Sequence, residues 1–324
     1  MAENDIWTIK AALDWTVGYL ERKGDENPRI SAQWLLSEAC GLSRIELYAN
    51  FERPLSLGER DVLRGYVTRR GRGEPLQYIT GEVGFRHIAV KVRPGVLIPR
   101  PETEVLVSEA LALLPSAPKR VAADSAPSSD ELPSEDVSRE TSVRSDAPEP
   151  ALLVADLCTG SGCIACSIAY EHPLARVFAT DIAPEAVSLA CENVGALGLS
   201  ERVDVLECDL GEGIPAEAVG ALDLVVSNPP YVPTAVLAEI PREVADFEPA
   251  LALDGGADGL DVLRRLLPWC ARALKPGAAF AFELHETCLD AAAALAREAG
   301  FADVRIVSDL AARPRVLTGR RLPA

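Results

Sequence analysis

Apolar residues recur three and four places apart through the first 74 positions, in "AALDWTVGYLERKG", "SAQWLLSEACGL" and "LSLGERDVLRGYVTRRGRG". Each run ends near a glycine, so spacing and stop together predict amphipathic helices. A small helical bundle is expected over 1–74, serving as scaffold or as a dock for a partner. The stretch "PLQYITGEVGFRHIAVKVRPGVLI" is rich in β-branched and aromatic residues. With Gly81 and Gly84 as turn points, it predicts a β-hairpin connector over 75–100. "PRPETEVLVSEALALL" then predicts a helix, with Pro101 in its first turn and Glu102 and Glu104 at its positive end.

From 151 onward the period changes. The apolar runs "ALLVADL", "ARVFATD", "RVDVLECD", "ALDLVVS" and "AAFAFEL" are strand candidates separated by helical stretches. That alternation implies βαβ units and a parallel sheet. "VRIVSDLAARPRVLTGR" adds two strands with no helix between them, an antiparallel close. The expected fold is α/β over 101–324: a Rossmann-like, mostly parallel seven-stranded sheet with an antiparallel end, preceded by the helical bundle. Residues 115–150 break the pattern. Ser, Pro, Asp and Glu dominate there and aromatics are absent, which predicts a disordered insertion acting as a passive linker.

Composition narrows the functional classes. Among 324 residues, 32 Lys and Arg face 49 Asp and Glu, a formal net charge of -17. Such acidity argues against broad phosphate binding, although not against a local basic patch. No run approaches a membrane span and "MAENDIWTIK" has no secretory h-region, so the chain reads as cytoplasmic. Its eight cysteines are then expected as thiols. Cys158, Cys163 and Cys166 have iron–sulfur-like spacing, but two of them sit in the apolar run "CIACSIAY" and read better as small buried hydrophobes. No metal site is proposed.

Candidate chemistry gathers where the strands end, the usual ligand edge of an open α/β sheet. "DLCTGSGCIA" follows the first strand. Its Gly160 and Gly162 allow a tight turn into a helix N-terminus, a signal that dinucleotide binding would share. The second strand ends in Asp181, suited to ribose hydroxyls, and the third in Asp209, suited to an exocyclic adenine amine. Together they describe an adenosine-shaped site. No phosphate-cradling G-x-x-x-x-G-K-[ST] loop is present, which favours S-adenosyl-L-methionine over a nucleoside triphosphate. The fourth strand delivers "SNPPY". Two prolines freeze the backbone and present Asn228 beside the ring of Tyr231. An amide or aromatic amine nitrogen is a poor nucleophile. If the Asn228 side-chain oxygen and the Pro229 carbonyl each accept one N–H, its lone pair is aimed at a sulfonium methyl while Tyr231 stacks on its plane.

These segments resemble the protein-(glutamine-N5) methyltransferases that modify peptide chain release factors. The likeness runs through "EPLQYITGEVGF", "LIPRPETEVLV", "DLCTGSG", "SNPPYVP" and "FEPALALDGGADGLD". It implies a class I S-adenosylmethionine-dependent methyltransferase whose substrate is the glutamine of the Gly-Gly-Gln loop of class I release factors. By the resemblance, Cys158, Thr159, Gly160, Ser161 and Gly162 wrap the methionine end of the cofactor, Asp181 binds ribose, and Leu210 beside Asp209 flanks adenine. Asn228 touches cofactor and substrate, Pro229, Pro230 and Tyr231 hold the glutamine, and Arg100 and Glu102 shape the mouth of the site. The helical N-terminal domain helps dock the release factor, and a monomer is expected. Cys158 stands where the family has a glycine, so a left-handed turn there costs on the order of 1 kcal/mol. The insertion is longer than the usual link, and "FELHE" lacks an expected glycine. Alternatives remain: glutamine methylation of a ribosomal protein, amine methylation of DNA or RNA, or cofactor binding without turnover.

Overall fold

A computed structural model describes residues 7–116 and 152–323. The chain begins with four helices, α1 (Ile9–Arg22), α2 (Pro28–Cys40), α3 (Arg44–Ala49) and α4 (Leu57–Arg70). Along α1 the buried residues are Ile9, Ala12, Leu13, Thr16 and Leu20, one stripe at three- and four-residue spacing. They pack on Leu35 and Leu36 of α2, Leu47 of α3 and Leu63 and Val67 of α4. Ser43 and Ser56 each accept a backbone N–H, while Glu46 and Glu59 reach back to close capping boxes on α3 and α4. Six residues are too few to show a helical period, so α3 was signalled only by the S-x-x-E of its capping box.

The hairpin differs from its sequence reading. Gly81 ends a short helix, α5 (Leu76–Thr80), with φ of 81°. Gly84 lies inside strand β1 (Glu82–Phe85), opposite Ala89 of β2 (Ile88–Lys91). The turn falls at Arg86 and His87, and Arg86 takes φ of 52°. A non-glycine residue there costs about 1 to 2 kcal/mol. The guanidinium offsets it by binding the Glu171 carboxylate at 2.6 and 2.7 Å and the Ser108 hydroxyl at 2.6 Å. Helix α6 (Thr103–Leu113) follows.

The remaining chain alternates as β3 (Leu152–Leu157), α7 (Cys163–Glu171), β4 (Ala175–Asp181), α8 (Pro184–Ala196), β5 (Val203–Glu207) and β6 (Leu222–Ser227). After an irregular stretch containing the one-turn α9 (Arg242–Ala245) come α10 (Asp261–Ala273), β7 (Leu274–Glu283), α11 (Leu289–Glu298), β8 (Phe301–Ser308) and β9 (Pro314–Arg321). The seven strands lie in the order β5-β4-β3-β6-β7-β9-β8. All neighbouring pairs are parallel up to β7, and β9 runs antiparallel to both β7 and β8. This is the class I methyltransferase fold. All six residues of β6 are buried, as a central strand covered on both faces requires.

Chain order reverses between β3 and β6, so a crevice opens beyond their carboxyl ends. The expected disordered insertion, apart from Pro115 and Ser116, lies outside the described residues. Its two flanks meet one turn: His172 Nε2 bonds the Pro115 carbonyl at 2.9 Å, and the Leu152 N–H donates to Leu174 O at 2.9 Å.

Candidate active site

The loop after β3 bends through three left-handed residues, Cys158 (φ 60°), Gly160 (φ 57°) and Gly162 (φ 80°). A Cβ on Gly162 would sit 3.2 Å from the Ala190 Cβ, so glycine lets α7 start hard against α8. The loop is held from beneath by Asp156, which the sequence reading did not single out. Its Oδ2 accepts from the Thr159 hydroxyl at 2.6 Å and from the Ala165 N–H at 3.1 Å. Complete burial pushes this carboxyl up to about 7, against the pull of those two bonds. The available signal was an acid inside an apolar strand just before a glycine turn. Burial likewise pushes the Cys158 thiol up to about 12, with Asp181 adding to the effect, so it stays protonated.

At the end of β4, Asp181 Oδ2 accepts the Gly160 N–H at 2.9 Å and Oδ1 the Ala183 N–H at 3.0 Å. One carboxylate thus ties two strand ends together, although desolvation still raises its proton affinity. Asp209 follows β5 and pairs with Arg265 Nη2 at 2.5 Å, and Leu210 beside it takes φ of 48°. Thr159, Asp181, Asp209 and Asn228 line one cleft of about 1140 Å³, counting its open mouth. Its apolar walls include Ile182, Leu210, Pro230 and Leu251. Cys158, Gly160, Ser161 and Arg100 line it too, whereas Gly162, Glu102, Pro229 and Tyr231 do not. Glu102 is exposed at the N-cap of α6, where its side chain makes no capping bond.

Beyond β6 the Ser227 hydroxyl donates to Leu157 O at 2.6 Å, fixing the turn against the glycine loop. Asn228 Nδ2 donates to the Thr103 hydroxyl oxygen at 3.2 Å, and the Tyr231 hydroxyl donates to Glu283 Oε1 at 3.0 Å. Thr103 and Glu283 were missed because they come from α6 and β7, far away in sequence. Burial pushes the Tyr231 phenol and the Glu283 carboxyl above their usual ranges, so neither readily carries charge. Two glycines back the turn: a Cβ on Gly255 would lie 2.7 Å from Tyr231 Cα, and one on Gly259 would lie 2.4 Å from Tyr231 O. Arg100 binds the buried Glu248 at 2.5 Å, linking "IPRPE" to "FEP".

Residues 11–81 match the family model described as PrmC N-terminal domain, and residues 146–242 the methyltransferase small domain. The release factor glutamine methyltransferase of Geobacter sulfurreducens is 39% identical over 316 residues, spanning 98% of either chain. The chain belongs to the release factor glutamine methyltransferase family. Family members so named from Rhodopirellula baltica and Moorella thermoacetica are 36% and 38% identical, covering 98% and 97% of this chain and 99% of their own lengths. In this family setting the cleft and the Asn228 turn sit side by side at the switch point of a methyltransferase sheet.

Proposed function

We propose that the chain transfers a methyl group to the side-chain amide nitrogen of a glutamine in a peptide chain release factor, using S-adenosyl-L-methionine. The observation carrying this reading is Asn228, which lines the cleft while a neighbour holds its amide. The donor set of the cleft fits the cofactor. Each Asp181 oxygen accepts one backbone N–H and keeps capacity for a ribose hydroxyl. Ile182 and Leu251 are 54% and 61% exposed along the same cleft, apolar surface suited to a base between them. Cys158, Thr159, Gly160, Ser161 and Gly162 would hold the methionine end, with Asp209 and Leu210 beside the adenine. When bound, the cofactor supplies an electrophilic sulfonium methyl.

The chain's own contribution is placement. Asn228 Oδ1 and the Pro229 carbonyl accept the two N–H groups of the substrate amide, with Pro230 and Tyr231 as its stiff surround. Tyr231 and Cys158 are both held protonated, so the turn acts by orientation and fixed dipoles without a strong base. Arg100, which lines the cleft, would shape its mouth, with Glu102 outside the lining. The glutamine we assign is that of the Gly-Gly-Gln loop of class I release factors. On this reading 1–74 docks the partner, 75–100 connects, and 101–324 carries out the transfer, as a cytoplasmic monomer. No helix among the described residues is long and apolar enough to cross a membrane.

A methyl-transfer assay with labelled cofactor and a class I release factor, read by peptide mass spectrometry, tests it. One added methyl on the Gly-Gly-Gln glutamine is expected, and Asn228→Ala should lower turnover by on the order of a hundredfold, as losing a key oriented donor–acceptor group does. Label on a ribosomal protein or on DNA, with none on the release factor, would replace the substrate assignment.

A further inference from the structure

Helix α10 reaches the cleft at two positions, Val262 and Arg265, three residues apart on one face. The adjacent Arg264 is engaged elsewhere, by Asp258 at 2.9 Å and Asp261 at 3.0 Å. Arg265 instead crosses to the loop after β5, where its Nη2 donates to Asp209 Oδ2 at 2.5 Å. Four residues further along the helix, Trp269 presses on the same loop: a Cβ on Gly211 would lie 1.9 Å from Trp269 Cζ2. Between these two anchors stands Leu210 at φ of 48°, a left-handed conformation that a side chain keeps only when its surroundings impose it. Asp209 and Leu210 both line the cleft.

A guanidinium offers only donors and a carboxylate only acceptors. With Oδ2 held by Arg265, Asp209 Oδ1 accepts no hydrogen bond among the described residues. The two side chains are 55% and 36% exposed, and an ion pair so open to water adds little to stability. What it supplies is direction, because the Asp209 carboxylate would otherwise be free to rotate into solvent. An acceptor fixed at this end of the cleft suits an exocyclic amine. It opposes a carbonyl oxygen, since two acceptors face to face have no proton to share.

We propose that Arg265 is a positioning residue that sets the base preference of the cleft: it turns the Asp209 carboxylate so that Oδ1 is offered to the amine of an adenine. The inference rests on the proposed reading of this cleft as the cofactor site. Arg265 acts through Asp209, and Trp269 holds the other end of the same short loop.

The test compares two ligands on the enzyme alone, by calorimetry. One is S-adenosylhomocysteine, the demethylated cofactor; the other is its hypoxanthine counterpart, in which a carbonyl oxygen replaces the amine. The wild type should prefer the adenine form by on the order of twentyfold, the effect of one hydrogen bond to a charged group. Arg265→Met keeps the apolar stem and removes the donors, and should cut that preference to about threefold or less, as should Asp209→Ala. The double variant should show no smaller preference than Asp209→Ala alone, because the two residues act as one unit. If Arg265→Met weakens both ligands together and leaves their ratio at the wild-type value, the role is structural only and the proposal is overturned. A wild type that binds neither ligand would overturn it together with the cofactor reading. A wild type that shows the preference, loses it in Arg265→Met and yet leaves release factors unmethylated would uphold the inference and remove only the substrate assignment.

Discussion

Cys158 and Asp156 show how single residues set the cofactor loop. Cys158 holds φ of 60° without a glycine's freedom. Relief of left-handed strain in Cys158→Gly outweighs the entropy gained by the unfolded chain, for a net gain of about 0.5 kcal/mol. Chemical denaturation should show that small stabilisation, with cofactor Kd little changed. Asp156 offers a sharper test because burial lifts its carboxyl from 3.8 to about 7. Between these values the folded state keeps a proton that the unfolded state has lost, so this group's contribution to stability falls as pH rises. Relative to Asp156→Asn, the wild type should lose stability steadily from pH 4 to 7 and level off above. A difference between the two proteins that is flat across that window would refute the assignment. The need for a left-handed bend at Cys158 was legible from its place in a glycine turn. The role of Asp156 was not, because one acid in an apolar strand looks the same whether or not a hydroxyl and an N–H converge on it.

Among the elements, long helices were legible because burial on one face imposes a period of 3.6 residues, and the central strands because burial on both faces leaves short continuous apolar runs. The hairpin turn was not legible. Arg86 takes the turn conformation because Glu104 and Ser108 of α6 and Glu171, 85 positions away, hold it there. The same limit hid Thr103 and Glu283, which lie 125 and 52 positions from the residues they hold. The glycines of "DGGADGLD" were visible as a motif, but their purpose is steric. At Gly259 an added Cβ meets Tyr231 O at 2.4 Å, with φ of 76° besides. Gly259→Ala should therefore cost about 2 kcal/mol or more. It should also reduce kcat more than cofactor affinity, because the displaced backbone is that of the Asn228 turn. Gly195→Ala is the control: it sits in α8 with nothing within 4 Å of the new methyl, and should stabilise the helix by about 0.5 to 1 kcal/mol with turnover intact. Paired denaturation curves and initial rates on the two variants separate the cases.

At the scale of the molecule, the region after the Asn228 turn is strapped to the N-terminal helices. Arg70 of α4 binds Asp25 at 2.6 Å and Glu243 at 3.0 Å, while Arg100 holds Glu248. Of these pairs only Arg70–Glu243 runs from the bundle to the active-site surround, while Phe247 packs with Tyr78 and Ile98 of the connector, an arrangement that charge counting along the sequence did not reveal. The long acidic segment is attached differently. Pro115 and Leu152 are both pinned to the turn between α7 and β4, so what lies between them closes a loop whose ends are already together. Loop-closure cost grows only slowly with length. Deleting 118–148 and joining the ends with a few glycines should leave kcat and KM for release factor within about twofold. A larger loss would give the segment a part in catalysis or docking. The same geometry makes this position a natural socket: a fluorescent reporter or affinity module whose own termini lie close together could be seated there, giving an enzyme that can be tracked or immobilised while its catalytic edge and helical bundle stay clear.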